Sequence, residues 1–357
     1  MRIAELYQQL ADLNALPVHQ GRIVRNWLNA KALDAGTRNQ NTENFLPLSV
    51  RNGLAQVQEA LENLAHIHSE HPSADSSTRL LVKLADGQLV ESVLLPRDGL
   101  CVSTQVGCAV GCRFCMTGKS GLIRQLSSME ILAQVVLARR LRPVKKVVFM
   151  GMGEPAHNLD NVIEAINVLG TEGGIGHKNL VFSTVGDLRV FEQLPQQRVK
   201  PALALSLHTT SAALREHLLP RAPRIEPAEL VALGEAYARN TGYPIQYQWT
   251  LLKGVNDGQD EAEAILHLLN GKYAVLNVIP FNQMEGTGLV DDNFQRPDTA
   301  RIQELVRYLQ SHRVLTKIRN SAGQDVDGGC GQLRARAERP IKLLTLRRKR
   351  SAPIIPA

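Results

Sequence analysis

Cys108, Cys112 and Cys115 are spaced C-x3-C-x2-C in a loop punctuated by glycines, so a short run of backbone can aim three thiolates at one point. Soft donors gathered in this way suit a transition metal or a metal–sulfur cluster. An iron–sulfur cube takes four cysteine ligands when the protein supplies the whole shell. Three close together leave one iron without a protein ligand, open to a small molecule. The alternative is a structural zinc site, which takes four protein ligands, and no further Cys or His stands at a usual spacing to complete the set. Cys101 and Cys330 are the two cysteines left over.

Other residues suited to chemistry lie on either side of this loop. Two β-rich runs, Thr78 to Leu84 and Leu89 to Leu95, are joined through Asp86-Gly87, a two-residue hairpin signal. Strand alternation puts Glu91 on the face of Val93 and Leu95. If that face is the inner one, a carboxylate sits where apolar groups belong, and desolvation suits it to a general base; if it is the outer one, Glu91 is a solvated charge. Cys330 lies in Gly328-Gly329-Cys330-Gly331, a segment with so little side-chain bulk that its thiol is free to swing. Two further motifs are decoys. Gly151-Met-Gly-Glu-Pro-Ala156 fits a loose dinucleotide fingerprint, but Pro155 stiffens the turn where a pyrophosphate needs N–H groups. Gly118-Lys119-Ser120 hints at a phosphate loop but has Arg113 where that motif needs glycine.

The elements that must position these groups follow from apolar periodicity. Ile3, Leu6, Leu10 and Leu13, then Val24, Trp27 and Leu28, then Val50, Leu54, Val57, Leu61 and Leu64 mark helices and a small helical domain over residues 1–70. Ser69 to Arg79 reads as the linker after it, and His66, His68 and His71 as solvated histidines at a helix end. From Cys101 on, apolar runs at 101–106, 145–150, 180–183, 202–207, 245–251 and 274–280 alternate with helical stretches such as Ser127 to Leu141, Asn158 to Leu169, Pro227 to Asn240 and Glu261 to Leu269. Six βα units argue for a parallel sheet with outer helices. Helix Thr299 to Ser311 and the run Val314 to Ile318 add an edge strand. Each strand ends in polar or glycine residues: the cysteine loop, Gly153 and Glu154, Ser183 and Thr184, Ser206 and His208, Asn256 and Asp257, and Asn282. In βα barrels the reacting groups collect on that rim.

The 357 residues allow one large domain with an appendage, and 44% apolar content suits a soluble globular protein. No apolar run reaches membrane-spanning length and the N-terminus lacks a signal-peptide core, so a cytoplasmic protein without a membrane partner is expected. Five cysteines, three of them clustered, make no disulfide framework. The net charge of +7 is carried by one end: residues 331–357 hold eight Lys or Arg, among them Arg334 and Arg347 to Arg350, against Glu338 alone. Such a tail either tracks a phosphate backbone or is a solvated end.

Cys101 ahead of the cluster loop, Cys112-Arg-Phe-Cys115, Gly151-Met-Gly-Glu-Pro155, Ser206-Leu-His208 and Asp325-Val-Asp-Gly-Gly-Cys-Gly-Gln-Leu333 together resemble the radical S-adenosylmethionine (radical SAM) RNA adenine methyltransferases of the RlmN and Cfr type, with the motifs in the family's order. The resemblance implies an α/β fold, a partial (β/α)6 barrel over residues 78–335 with a β-hairpin extension, followed by a basic tail at 336–357. It implies one 4Fe–4S cluster held by Cys108, Cys112 and Cys115, with the open iron chelated by SAM, and SAM contacts from Gly153, Glu154, Ser183, Ser206, Leu207, His208 and Asn282. It places the proton acceptor at Glu91. It makes Cys330 the carrier of the transferred methyl group, which is methylated by one SAM and activated by the radical from another, and Cys101 the thiol that displaces the tether by forming a disulfide. The substrate implied is an adenine, at carbon 2 in 23S rRNA and possibly in tRNA, with carbon 8 as the alternative. An electron donor for the cluster and a monomeric enzyme are expected with it. Ala156-His157, Met116 and the short N-terminal region depart from the best-known pattern. A zinc-containing RNA-binding protein without catalysis is the rival from another class, and bound iron against bound zinc separates the two.

Overall fold

The computed structural model describes residues 1–36, 41–119, 121–282 and 294–322. Cys330, the glycines around it and the basic residues from Arg334 onward lie outside them. Three helices open the chain, α1 (Ile3–Asp12), α2 (Pro17–Leu28) and α3 (Leu48–Glu62). The predicted stripes face inward: Leu6, Leu10, Val24, Leu28, Val50 and Val57 are fully buried in the same apolar core as the barrel's outer helices. The linker expected over 69–79 is instead largely a strand. β1 (Ala65–Pro72) pairs antiparallel with β2 (Thr78–Leu84), and only a short turn separates them. His66 and His68 are accordingly exposed on an edge strand rather than at a helix end, and Ser69 and His71 form a side-chain hydrogen bond of 2.9 Å. The alternation of apolar Ala65 and Ile67 with polar His66 and His68 is the strand signal, outvoted by the helical period before it.

β3 (Leu89–Leu95) pairs antiparallel with β2, and β4 (Gly99–Cys101) antiparallel with β3. The hairpin is not the two-residue one expected. Leu84 N–H donates to Gln88 O at 2.9 Å, so Ala85, Asp86 and Gly87 form a three-residue loop with Gly87 at φ +85°, the geometry that places glycine in the left-handed region. β5 (Gln105–Gly107), the four-residue helix α4 (Met116–Lys119) and β6 (Leu122–Gln125) frame the cysteine loop, with β5 and β6 in a two-stranded sheet of their own. The βα units then follow: α5 (Ser128–Leu141), β7 (Lys146–Phe149), α6 (Leu159–Gly170), β8 (Leu180–Thr184), α7 (Leu188–Gln193), β9 (Ala202–Ser206), α8 (Ala212–Leu218), α9 (Pro227–Thr241), β10 (Ile245–Leu251), α10 (Gln259–Leu269), β11 (Ala274–Pro280), α11 (Thr299–Ser311) and β12 (Thr316–Ile318). Ser127 and Glu130 cap α5 reciprocally, each side chain accepting the other's backbone N–H at 3.2 and 2.8 Å, a pairing that fixes where the helix begins.

The main sheet runs β1-β2-β3-β4-β7-β8-β9-β10-β11-β12, antiparallel up to β4 and parallel from β4 to β12. Five of the six expected parallel strands and the added edge strand are present; the run expected over 101–106 instead ends the short β4 at Cys101 and contributes β5 to the separate pair. Its two faces differ. Leu203, Leu205, Tyr247, Trp249 and Val278 point out into the helical layer, whereas Val148, Val181, Ala202, Ala204 and Cys101 line the inner face with small side chains. Beyond β12, Arg319 N–H donates to Val278 O on β11 at 2.8 Å, and Ala322 O accepts from the Arg79 guanidinium on β2 at 3.1 Å. Three residues span at most about 11 Å. The sheet therefore curls until strands near its opposite edges approach each other, and the chain bridges the gap.

Candidate functional site

Gly107, immediately before the first cluster cysteine, has φ +82°, and a Cβ there would stand 1.9 Å from Gly121 O. That carbonyl accepts the Cys108 N–H at 2.9 Å. The close approach of the two backbones is what starts the cysteine loop, and it admits only glycine. The loop then rests on the segment that begins with α8: Arg113 N–H donates to Leu218 O (3.0 Å), Arg221 N–H to Val110 O (3.3 Å), and the Arg221 guanidinium to Ala109 O (3.0 Å). Cys108 and Val110 are buried with Val185, Leu218, Leu219, Leu252 and Phe281, residues that follow β8, β10, β11 and α8, so the loop sits over the C-terminal rim of the barrel. Gly107→Ala is expected to lose most of the bound iron while the far-ultraviolet circular dichroism of the barrel persists; unchanged iron content would show that the loop tolerates the shift.

Burial pushes the Cys108 thiol up to about 12. Burial also holds Cys112 well above the usual thiol range, and the neighbouring Cys115 and Cys108 push it in the same direction. The three sulfurs thus share one electrostatic neighbourhood. As thiols they keep their protons, and a metal that replaces those protons releases them. Among the described residues no group of three or more His, Cys, Asp or Glu side chains is placed to hold a single metal ion. Three soft donors on one loop, each available to a different iron, fit an iron–sulfur cluster.

The other rim residues stand around this loop. Gly153 follows β7 with φ +107°, and its α-carbon lies against Gln105, where a Cβ would meet side-chain atoms at 2.6–2.8 Å. Gln105 Oε1 accepts the Glu154 N–H at 2.7 Å. The Glu154 carboxylate accepts from the Ala156 and Val185 N–H groups, both at 3.1 Å, which ties the end of β7 to the end of β8. Burial raises this carboxyl to about 7 even against those hydrogen bonds. His208 sits at φ +64°, with Nδ1 accepting from Thr250 N–H at 3.0 Å, so its remaining proton is on Nε2. Burial and then the nearby Arg215 charge hold it down at about 3, neutral at physiological pH. Its ring meets Phe114 of the cysteine loop edge-on at 4.8 Å. Asn256 donates to His208 O (2.7 Å) and Thr250 O (2.8 Å), stapling the ends of β9 and β10. Ser183, Ser206 and Asn282 are half-buried at the ends of β8, β9 and β11, and Leu207 is fully buried.

Below the rim, a second group faces the barrel interior. Arg79, Val93, Cys101, Val148, Val181 and Ala202 are register partners in one row across β2, β3, β4, β7, β8 and β9. Glu91 lies on the same face of β3, one step nearer the rim. Its carboxylate pairs with Arg79 at 3.2 Å, and the two side chains are only 1% and 3% exposed. Glu91 is therefore on the inner face, yet paired rather than alone among apolar groups. Taking away one partner of such a pair leaves a buried charge, at a cost of about 3–5 kcal/mol. Ala322, partly buried, packs against the cluster that contains Cys101, and burial pushes the Cys101 thiol up to about 12.

Residues 102–269 match the family described as the Radical SAM superfamily. A probable RNA methyltransferase of Bordetella avium is 72% identical over 348 residues, covering 98% of this chain and 97% of that one. One from Pseudomonas aeruginosa is 69% identical over 337 residues, covering 94% and 96%. A radical SAM methyltransferase from Sphaerobacter thermophilus has a solved structure that superposes with a TM-score of 0.78 at 32% identity, covering 93% of this chain and 97% of that one. The chain belongs to the radical SAM methyltransferases. Enzymes of this superfamily use a 4Fe–4S cluster and SAM, and membership agrees with the RlmN and Cfr resemblance carried by the motifs. Among the described residues of this methyltransferase no helix is long and apolar enough to cross a membrane.

Two site residues had no signal in the sequence. Arg215 of α8 reads as a polar position on a short amphipathic helix, but it is 3% exposed and donates to Val185 O and to Ser206 O, the latter at 3.3 Å. Burial lowers it to about 10, against the pull of Cys112 and Glu154, so the radical SAM site holds a cation at neutral pH. Arg79 reads as an exposed strand charge. The expected two-residue hairpin would have paired Arg79 with Leu94 and put it on the face opposite Glu91. The three-residue loop shifts the register by one and brings both to the inner face.

Proposed function

We propose that this enzyme methylates an adenine ring carbon of RNA, carbon 2 in 23S rRNA and possibly also in tRNA, through a methylated Cys330. The observation that carries this reading is the buried cluster of Val93, Cys101 and Val181, against which the partly buried Ala322, eight residues ahead of Cys330, packs. Eight residues reach up to about 29 Å, whereas two strand spacings, about 10 Å, separate the backbone at Arg79 from that at Cys101. The Cys330 thiol therefore has the chain length to meet Cys101 from that anchor.

With Cys108, Cys112 and Cys115 as its protein ligands, the cluster and SAM together would supply the methyl group and the 5'-deoxyadenosyl radical that activates it. Gly153, Glu154, Ser183, Ser206, Leu207, His208 and Asn282 bind and orient SAM on the rim. The buried Glu154 carboxylate suits a cationic amino group there. Cys330 sulfur carries the one-carbon unit to the ring, because an electron-poor ring carbon resists polar methyl transfer but accepts a carbon radical. Glu91 takes the ring proton, and the unpaired electron left on the adduct would pass to the oxidised cluster. Cys101 then attacks the Cys330 sulfur; the carbon–sulfur bond breaks toward carbon, which takes a proton to become methyl. A Cys101–Cys330 disulfide remains, to be reduced by an external thiol, and a separate one-electron donor serves the cluster.

Relatives named as RNA methyltransferases support RNA as the substrate. Mass spectrometry of methyladenosine isomers in rRNA and tRNA from cells with and without the gene tests the reading. A 2-methyladenosine lost with the gene supports it, an 8-methyladenosine transfers it to the other carbon, and unchanged RNA overturns it. If the basic tail contacts phosphates, removing residues 341–357 lowers the magnitude of the salt slope of RNA binding by about 0.7–0.9 per lost contact. An unchanged slope would make the tail a solvated end.

A further inference from the structure

Arg215 of α8 is a buried cation that forms no ion pair among the described residues. It is 3% exposed, and its guanidinium donates to three carbonyls: Val185 O after β8, Ser206 O at the end of β9 (3.3 Å) and Pro223 O (3.5 Å). Its Nε is enclosed and has no hydrogen-bond partner among the described residues. The buried Arg79, by contrast, has Glu91 as its counter-charge. Glu154, the buried acid of this rim, is taken up by the Ala156 and Val185 N–H groups. An enclosed charge without a counter-charge is costly, and so is an enclosed donor without an acceptor. Both features of Arg215 call for an anionic partner that the folded chain does not itself supply.

The cysteine loop lies against the same short helix. Arg113 N–H donates to Leu218 O, about one turn on from Arg215, and Cys112 and Leu214 pack onto the apolar cluster that contains Val185. An ionised Cys112 pulls on the Arg215 charge and opposes the effect of burial on it. Metal binding removes thiol protons, so a loop that is neutral when empty becomes anionic when loaded, and reduction adds one more negative charge. Net charge and hydrogen bonds to sulfur set the potential of such clusters. We infer that Arg215 is the fixed counter-charge of the iron–sulfur cluster: it raises the cluster's reduction potential and so sets how readily the electron that cleaves SAM is taken up. A clamp on three carbonyls could be neutral; an anion beside it calls for both the charge and the spare donor. The inference rests on Cys108, Cys112 and Cys115 being the cluster ligands.

The test uses the full-length, cluster-loaded enzyme with its Arg215→Gln variant, which keeps a donor but no charge, and Arg215→Lys, which keeps the charge but not the planar fork. Two quantities are measured without oxygen: the cluster's reduction potential, by redox titration followed by electron paramagnetic resonance without SAM, and the affinity of the oxidised enzyme for SAM. Arg215→Gln is expected to lower the reduced-to-oxidised ratio at a fixed potential on the order of tenfold, a shift of about 59 mV for a one-electron couple, as suits the loss of one unit charge in a medium of effective dielectric about 20. Arg215→Lys is expected to stay near the parent, and both variants to keep their iron. Iron lost from Arg215→Gln but kept by Arg215→Lys also supports the inference, because the loaded loop then needs the charge rather than the fork. Iron lost from both overturns it, as the mark of a carbonyl clamp. A parent-like potential in Arg215→Gln overturns it, as does an equal shift in the two variants. An unshifted potential with weakened SAM binding assigns the contact to the SAM carboxylate instead and likewise overturns it. A parent enzyme without a reducible cluster overturns the ligand set itself, and the inference with it.

Discussion

Cys101→Ala is expected to stop the enzyme with RNA covalently attached, whereas Cys330→Ala forms no bond to RNA at all. In the proposed reaction the two thiols left over from the cluster act at different steps, so their losses differ in kind. Without Cys330 there is no sulfur to carry the one-carbon unit. Without Cys101 the carrier still loads, adds to the ring and gives up the proton to Glu91, but nothing displaces its sulfur. The Cys101 environment makes the second block complete, because the position is enclosed by Val93, Val148, Val181, Ala202 and Ala204 and leaves little room for a free thiol to substitute. The same burial raises the resting thiol to about 12, so at neutral pH only about one in 10⁵ is thiolate. Attack then has to follow removal of its proton within the site. Denaturing gels of each variant with labelled RNA and SAM read the outcome directly. Normal turnover by Cys101→Ala, or a crosslink from Cys330→Ala instead, would falsify the assignment of roles.

The second large effect concerns the cluster. Cys108→Ala, Cys112→Ala and Cys115→Ala are each expected to lose most of the iron and all SAM cleavage. In the proposed ligand set three thiolates hold three irons, and the fourth must stay free of protein if it is to bind SAM, so no ligand is spare. Nearby residues offer no substitute: Glu154 is committed to the Ala156 and Val185 N–H groups, and His208 Nδ1 to Thr250 N–H. Iron assay and 5'-deoxyadenosine production measure the loss, and Cys101→Ala serves as the control that keeps both. Full iron content and cleavage in any of the three variants would remove that cysteine from the ligand set.

The sequence by itself determined the radical SAM methyltransferase class and the order of most elements. The C-x3-C-x2-C spacing, the six apolar runs and the polar residues that end them are local features, and so are the capping of α5 by Ser127 and the span of α11 from Thr299 to Ser311. Each depends on contacts within a few residues, where periodicity and side-chain type decide the outcome. The tertiary structure decided what depends on distant partners. It placed β1 in the sheet, because an edge strand is defined by the neighbour it pairs with. It placed the cysteine loop on the end of α8 through hydrogen bonds spanning about a hundred residues of chain, and it buried Arg215 against carbonyls at the ends of two strands. The Arg79–Glu91 pair is the sharpest case. Both charges were visible, but one residue more in the turn between β2 and β3 reverses which side chains of β2 share a face with Glu91. Only the packed sheet, with helices covering one face and the Ala322 segment crossing the other, settles which register buries an ion pair in place of a charge alone.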